Sequence, residues 1–255
     1  MKRLLVLMMC AMLAVPSVGM NVSAEETATV DENTQTADQV AMESAKVLND
    51  YLKNKGYEGE ELKKAYDILR KEEICNPIII GQSMGGYVGQ AYAEAFPDKL
   101  KGFVSVDSAP LQRKYLTFAE LWLLKRMEPV YRYYPWKSLL KSGTNGVATS
   151  EYGRALMHDI MMVYDGEQKR YAKLSGHGFK ILAEAIEKDL PYEIKCPALL
   201  ICGEKDHAGS CIRYNKVWHK NTGIRLEWIK DAGHNSNTDK PEIVNGLIEE
   251  FVNGI

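Results

Sequence analysis

The sequence has almost no excess of charge: 32 Lys and Arg stand against 34 Asp and Glu, a net of −2 over 255 residues. Without a basic surplus there is no electrostatic footprint for nucleic acid or for an anionic membrane surface. Nor is there, beyond the N-terminus, an apolar stretch of the ~18 residues that a membrane span needs. Cysteine is scarce at 5 residues, and no CxxC or Cys/His spacing suggests a metal site. No internal repeat is visible. With 45% hydrophobic and 26% charged residues the composition is that of an ordinary globular chain, which excludes a disordered or fibrous protein. The length suffices for one large domain or two small ones.

The N-terminus reads as a targeting segment. Lys2 and Arg3 precede an apolar run of 12 residues from Leu4 to Val15, then Pro16, and small residues Val22-Ser23-Ala24 stand where cleavage is expected. This is the layout of a secretory signal over residues 1–24, and it implies export to the cell envelope or the medium, with no stable membrane span after cleavage. Cys10 lacks the context of a lipoprotein signal. Of the remaining cysteines, Cys75 and Cys202 lie beside or inside strand-like runs, where cysteine serves as a small buried hydrophobe. Free thiols are therefore expected, and if any bridge forms it is Cys202–Cys211.

Residues 25–36 are polar and acidic, a linker by composition. Helical periodicity follows over Ala37 to Asn54 and again at Leu62, Ala65, Tyr66 and Leu69. Pro77 to Ile80 is a β-branched run without alternation, the signature of a strand buried in a parallel sheet. Three more strands are expected at Phe103 to Val106, Ala198 to Cys202 and Leu226 to Ile229. Helices are expected over Tyr87 to Phe96, Cys211 to His219 and Pro241 to Val252, the last with proline in its first turn. Between Pro110 and Leu190 only helical patterns occur, among them Phe118 to Met127 and Phe179 to Lys188. The fold class is thus α/β, with core at residues 37–110 and 191–255 and a helical insert at 111–190.

The chemistry concentrates at strand ends. Gly81-Gln82-Ser83-Met84-Gly85-Gly86 joins the first strand to the next helix. G-x-S-x-G in that setting is a nucleophile elbow, in which small neighbours permit a strained turn that exposes the serine hydroxyl. The backbone N–H of Met84, at the helix start, is then placed to donate to an oxyanion. A serine needs a base and the base an orienting acid. His234 follows the last strand and Asp206 follows the one before it, both at the carboxyl ends where open parallel sheets hold ligands. Asp107, at the end of the second strand, is an alternative acid, or else a loop cap. His207 reads as a rim histidine, and His158, His177 and His219 as structural. Gly176-His177-Gly178 imitates an oxyanion loop but follows the nucleophile instead of preceding it. Trp122, Tyr131, Tyr133, Tyr134 and Trp136 are candidates either for lining an apolar acyl pocket or for packing.

The stretches IIIGQSMGGYVGQAYAEAFP, VSVDSAP, LLICGEKDHAG and DAGHNSNTDKPEIV resemble an α/β-hydrolase of the esterase/lipase-like group that carries a helical lid. The resemblance runs from about Asn76 to Ile255 and includes the chain order Ser, Asp, His. It implies that Ser83 is the nucleophile, Asp206 the acid and His234 the base, with residues 111–190 as the lid. It further implies an ester or related acyl substrate of small size, with no cofactor and no metal.

One part of that family's pattern is missing. Between Glu25 and Glu73 there is no β-branched run, no alternation and no His-Gly dipeptide, so nothing there reads as the strands that precede the elbow. Ile78 to Ile80 would then stand at an unpaired apolar edge, and the oxyanion site would have the Met84 N–H alone. The helical segment either completes the sheet edge in an unusual way or replaces the first half of a formerly cytosolic hydrolase. Two functional readings follow: a serine hydrolase acting on carboxylic esters, or an impaired remnant that serves as a secreted binding module.

Overall fold

The short β-branched runs form strands β1 (Ile78–Gln82), β2 (Gly102–Val106), β3 (Ala198–Gly203) and β4 (Arg225–Ile229). The computed structural model describes residues 76–255, and all elements below lie within them. The expected leader, linker, first two helices, Cys10 and Cys75 lie outside the described residues. Among the described residues the strands make one parallel sheet in the order β1-β2-β3-β4. Ile79 stands opposite Phe103, Val104 opposite Leu199, and Leu200 opposite Leu226.

The absence of alternation in the inner strands has its expected cause. Every residue of β2 is buried, as is all of β3 after Ala198, because both faces of these strands are covered. β1 and β4 are only partly buried, and Ile80 is half exposed on β1, whose other edge meets no strand among the described residues. Val104, Val106, Leu199, Ile201, Ile229 and Val244 form the core on one face, with Leu247, Ile248 and Phe251 packed onto it. Burial of each such side chain contributes roughly 1.5–3 kcal/mol.

Helix α1 (Met84–Ala95) connects β1 to β2. The chain between β2 and β3 is helical throughout its regular structure: a 3-10 turn (Arg113–Tyr115), then α2 (Phe118–Leu124), α3 (Met127–Tyr133), α4 (Trp136–Asn145), α5 (Glu151–Met162) and α6 (Gln168–Glu187). The single helix expected over Phe118 to Met127 is two. Arg126 leaves the helical conformation, while Thr117 and Glu120 cap the start of α2 reciprocally. The helix expected over Phe179 to Lys188 begins eleven residues earlier, at Gln168. Helix α7 (Cys211–Thr222) ends on left-handed Gly223 and leads into β4. The chain closes with a single turn α8 (Ser236–Asp239) and α9 (Pro241–Asn253). Among the described residues no helix is long and apolar enough to cross a membrane.

Candidate active site

Ser83 sits between β1 and α1 with φ 50° and ψ −114°, a backbone region costly for any residue but glycine. Three hydrogen bonds hold it there. Its N–H donates to the Val106 carbonyl at 2.9 Å, and its carbonyl accepts from the Ser108 hydroxyl at 2.7 Å and from the Gly86 N–H at 3.0 Å. The turn closes so tightly that a Cβ on Gly81 would lie 2.3 Å from the Gly85 carbonyl group, and one on Gly86 would lie 2.4 Å from the Ser108 hydroxyl. Gly81 and Gly86 are thus required by contact, whereas a Cβ on Gly85 would meet nothing within 4 Å. Met84 is the first residue of α1, so its N–H has no carbonyl one turn earlier to bond.

The structure brings Ser83, His234 and Asp206 together, all buried. His234 Nε2 lies 2.8 Å from Ser83 Oγ, and its Nδ1 lies 3.0 Å from Asp206 Oδ2. With Nδ1–H donating to the Asp206 carboxylate, Nε2 accepts from the serine hydroxyl. Asp206 itself is fixed through Oδ1, which accepts from the Ala208 N–H at 2.9 Å. Burial alone would lower the His234 pKa. The charge and hydrogen bond of Asp206, with the more distant charge of Asp107, outweigh it, and the net shift is upward from 6.5.

Asp107 is placed differently from Asp206. It does not bond His234. Its Oδ1 accepts from the Gly203 N–H at 2.8 Å, and its Oδ2 accepts from the Ser236 N–H at 2.8 Å and the Ser236 hydroxyl at 2.6 Å. Asp107 therefore ties the end of β3, three residues before Asp206, to the turn two residues after His234. Burial, then the charge of Asp206, push its pKa up to about 8, against the pull of the bonds from Ser236 and Gly203.

A second carboxylate organises the same loop and was invisible to sequence reasoning. Asp239 accepts from the N–H groups of Gly233, Thr149 and Ser150 at 2.8 to 2.9 Å. These bonds outweigh its burial and hold it below the ordinary carboxylate value. The Asn235 N–H also donates to the Val147 carbonyl at 2.9 Å, so the loop carrying His234 is bound to the turn between α4 and α5. The sequence gives no sign of this, since the partners are backbone groups, those of Thr149 and Ser150 about 90 residues away. Gln82, within the elbow, adds a bond from Nε2 to the His234 carbonyl at 3.0 Å.

Ser83 and His234 open onto a cavity of about 100 Å³ whose apolar wall comes from Leu116, Leu124, Phe179, Leu182 and Ile186. None of the five aromatics that were candidates for that wall or for packing lines it. Tyr131 and Trp136 pack with Tyr171, whereas Trp122 and Tyr133 are exposed. Tyr134 is also absent from the cavity lining. Leucine and isoleucine of the helical insert take their place because α2 and α6 turn their aliphatic faces to the sheet end. His158, His177, His207 and His219 are all exposed, and Gly176-His177-Gly178 lies inside α6. Glu120 links the insert to the core by accepting from the Ser210 hydroxyl at 3.0 Å and Arg213 at 2.8 Å.

Cys196, Cys202 and Cys211 are free thiols. Cys202 and Cys211, the pair singled out from the sequence, have their sulfurs 4.0 Å apart, too far for a disulfide.

A family model described as "Alpha/beta hydrolase family" matches residues 48–247. No curated protein matches the chain by sequence. Among solved structures, the enol-lactonase from Burkholderia xenovorans LB400 is similar, with a TM-score of 0.59 and 21% identity over 76% of this chain and 72% of that one. The esterase EaEST from Exiguobacterium antarcticum gives 0.56 and 21% over 75% and 72%. MGS-M2, an alpha/beta hydrolase enzyme from a Medee basin deep-sea metagenome library, gives 0.56 and 18% over 76% and 70%. At these identities the likeness concerns the fold.

Proposed function

Since the chain belongs to the α/β-hydrolase family, we propose that it is a serine hydrolase that cleaves small carboxylic esters through an acyl-enzyme. The observation that carries this reading is the continuous relay from Ser83 Oγ through His234 to Asp206, at 2.8 and 3.0 Å.

Ser83 Oγ attacks the ester carbonyl while His234 Nε2 takes its proton. Asp206 keeps the imidazole in the tautomer that presents Nε2 to the serine and stabilises the imidazolium that forms. The Met84 N–H donates to the oxyanion of the tetrahedral intermediate. His234 then returns the proton to the leaving alcohol. A water, deprotonated by the same imidazole, releases the acid and restores Ser83. The apolar wall of Leu116, Leu124 and Phe179 receives the acyl chain. Esterases and an enol-lactonase among the similar structures agree with acyl chemistry at such a site.

The test is covalent labelling of the purified protein with a fluorophosphonate, read by intact mass. One adduct per chain, absent from a folded Ser83→Ala variant, is expected. A folded protein that remains unlabelled would overturn the hydrolase reading and leave a binding module.

A further inference from the structure

Beside the relay, around Asp206, two thiols converge. Cys202 is the fifth residue of β3 and Cys211 the first residue of α7, so the strand and the helix that bracket Asp206 each contribute one. Both are buried. Their sulfurs stand 4.0 Å apart, and one carboxylate oxygen of Asp206 lies within 4.8 Å of each.

That spacing does not fit a disulfide, which needs the sulfurs at about 2.05 Å. It does fit two thiolates on one tetrahedral d10 cation: ligands at ~2.3 Å from such an ion stand about 3.8 Å apart. The third donor, a carboxylate oxygen within 4.8 Å of both sulfurs, completes a three-ligand face by an approach of at most about 1.3 Å, since sulfur and oxygen on such an ion stand about 3.5 Å apart. Two sulfurs and one oxygen form a set that prefers soft or borderline cations over Mg²⁺ or Ca²⁺. Cys211 also lines the Ser83 cavity, which gives the ion a way in. Asn215 Nδ2 donates to Cys211 Sγ at 3.3 Å, a bond that suits a thiolate, while the bond from the Cys211 thiol to the Ser108 carbonyl at 3.2 Å is given up on ligation.

We propose that Cys202, Cys211 and Asp206 form a binding site for a soft divalent cation of the Zn²⁺ or Cd²⁺ class, and that its occupation turns the hydrolytic relay off. The second half rests on the serine-hydrolase reading given above. Each thiol releases its proton on ligation, and two sulfur–metal bonds and one oxygen–metal bond form with no change of oxidation state. Asp206 is then held by the cation. Its charge is no longer available to the imidazolium of His234, and the positive ion nearby disfavours that imidazolium further.

The experiment uses the reduced full chain, freed of reductant and titrated with Cd²⁺. Binding is read from the ultraviolet thiolate-to-cadmium absorption and activity from hydrolysis of a short p-nitrophenyl ester. Saturation at one Cd²⁺ per chain is expected, with the rate falling ~10²-fold or more along the same curve and recovering on addition of EDTA. Folded Cys202→Ala and Cys211→Ala variants should each lose the absorption and the Cd²⁺ sensitivity, measured against their own metal-free rates. Cys196→Ala should retain both. Absorption that persists in both Cys202→Ala and Cys211→Ala, or none in the unmodified chain, overturns the site. A product two daltons lighter without cadmium overturns it in favour of a disulfide. Normal absorption with an unchanged rate overturns the inhibitory role. A chain with no hydrolysis before metal is added contradicts the serine-hydrolase reading instead, while the absorption still decides the site.

Discussion

Ser236 gives both of its donors to Asp107: its N–H at 2.8 Å and its hydroxyl at 2.6 Å reach the same carboxylate oxygen. The other oxygen accepts from Gly203, so one buried side chain at the end of β2 sets the loops that carry Asp206 and His234. An amide in its place turns one acceptor into a donor that faces a backbone N–H. Asp107→Asn is expected to lose about 1–3 kcal/mol of stability and to slow hydrolysis while the fluorophosphonate adduct still forms. Asp206→Asn, with an acceptor lost at His234 itself, is expected to lower kcat by about 10³–10⁴. Denaturant titration and steady-state kinetics on both variants distinguish the two carboxylates. Equal rate losses would mean that Asp107 takes a direct part.

The pH profile of kcat/KM carries a second expectation. His234 acts as a base only when neutral, and its pKa is raised above 6.5 by Asp206 once burial has been overcome. The acid limb should therefore have its midpoint above 6.5, with the rate falling below it. The shift also has a consequence for folding. A histidine raised in the folded state stabilises fully below its unfolded pKa, and that contribution disappears as pH rises through the folded value.

Asp239 predicts the opposite dependence. Its carboxyl lies below its ordinary 3.8 in the folded state. Its contribution is complete above 3.8 and is lost as the pH falls through the lower folded value. Asp239→Asn should destabilise the protein at neutral pH by about 2–3 kcal/mol, the scale of hydrogen bonds to a charged group, and the difference from the unmodified protein should shrink toward pH 2. Thermal unfolding across that range measures it. A constant difference would show that the charge is unimportant.

On the serine-hydrolase reading, the size of the cavity limits the acyl chain. At about 100 Å³ it is smaller than the ~150 Å³ space that holds a benzene ring, so p-nitrophenyl acetate to butyrate should be preferred over octanoate. Phe179, fully buried in the wall, limits the pocket. Phe179→Leu should shift the preference to longer chains, at a stability cost of roughly 1–2 kcal/mol. An unchanged chain-length profile in that variant would mean that the acyl group binds elsewhere.

Much of the candidate site was legible because its chemistry is written locally. The elbow is six consecutive residues, and its first glycine, Gly81, is forced by contact with the Gly85 and Gly86 backbone across a single turn. Asp206 follows β3, whose unbroken apolar run marks burial on both sides, and His234 follows β4, a shorter mixed run that is only partly buried, so the place of each at the carboxyl edge of the sheet follows from the strand before it. The helix over Phe118 to Met127 was misjudged for a related reason. Its apolar spacing continues through Arg126, and only the packing of the insert breaks it there.

By itself the sequence determined the parallel α/β core, the elbow and the placing of Ser83, Asp206 and His234 at strand ends, because strand burial and turn sterics act over a few neighbouring residues. Only the tertiary structure decided which carboxylate meets His234, what the second one does, and which side chains wall the cavity. Those outcomes depend on backbone N–H groups and helix faces brought together from 90 or more residues apart, as in the bonds of Asp239 to Thr149 and of Asp107 to Gly203 and Ser236. Backbone donors are the same at every position of a chain, so no residue type announces where they will be needed.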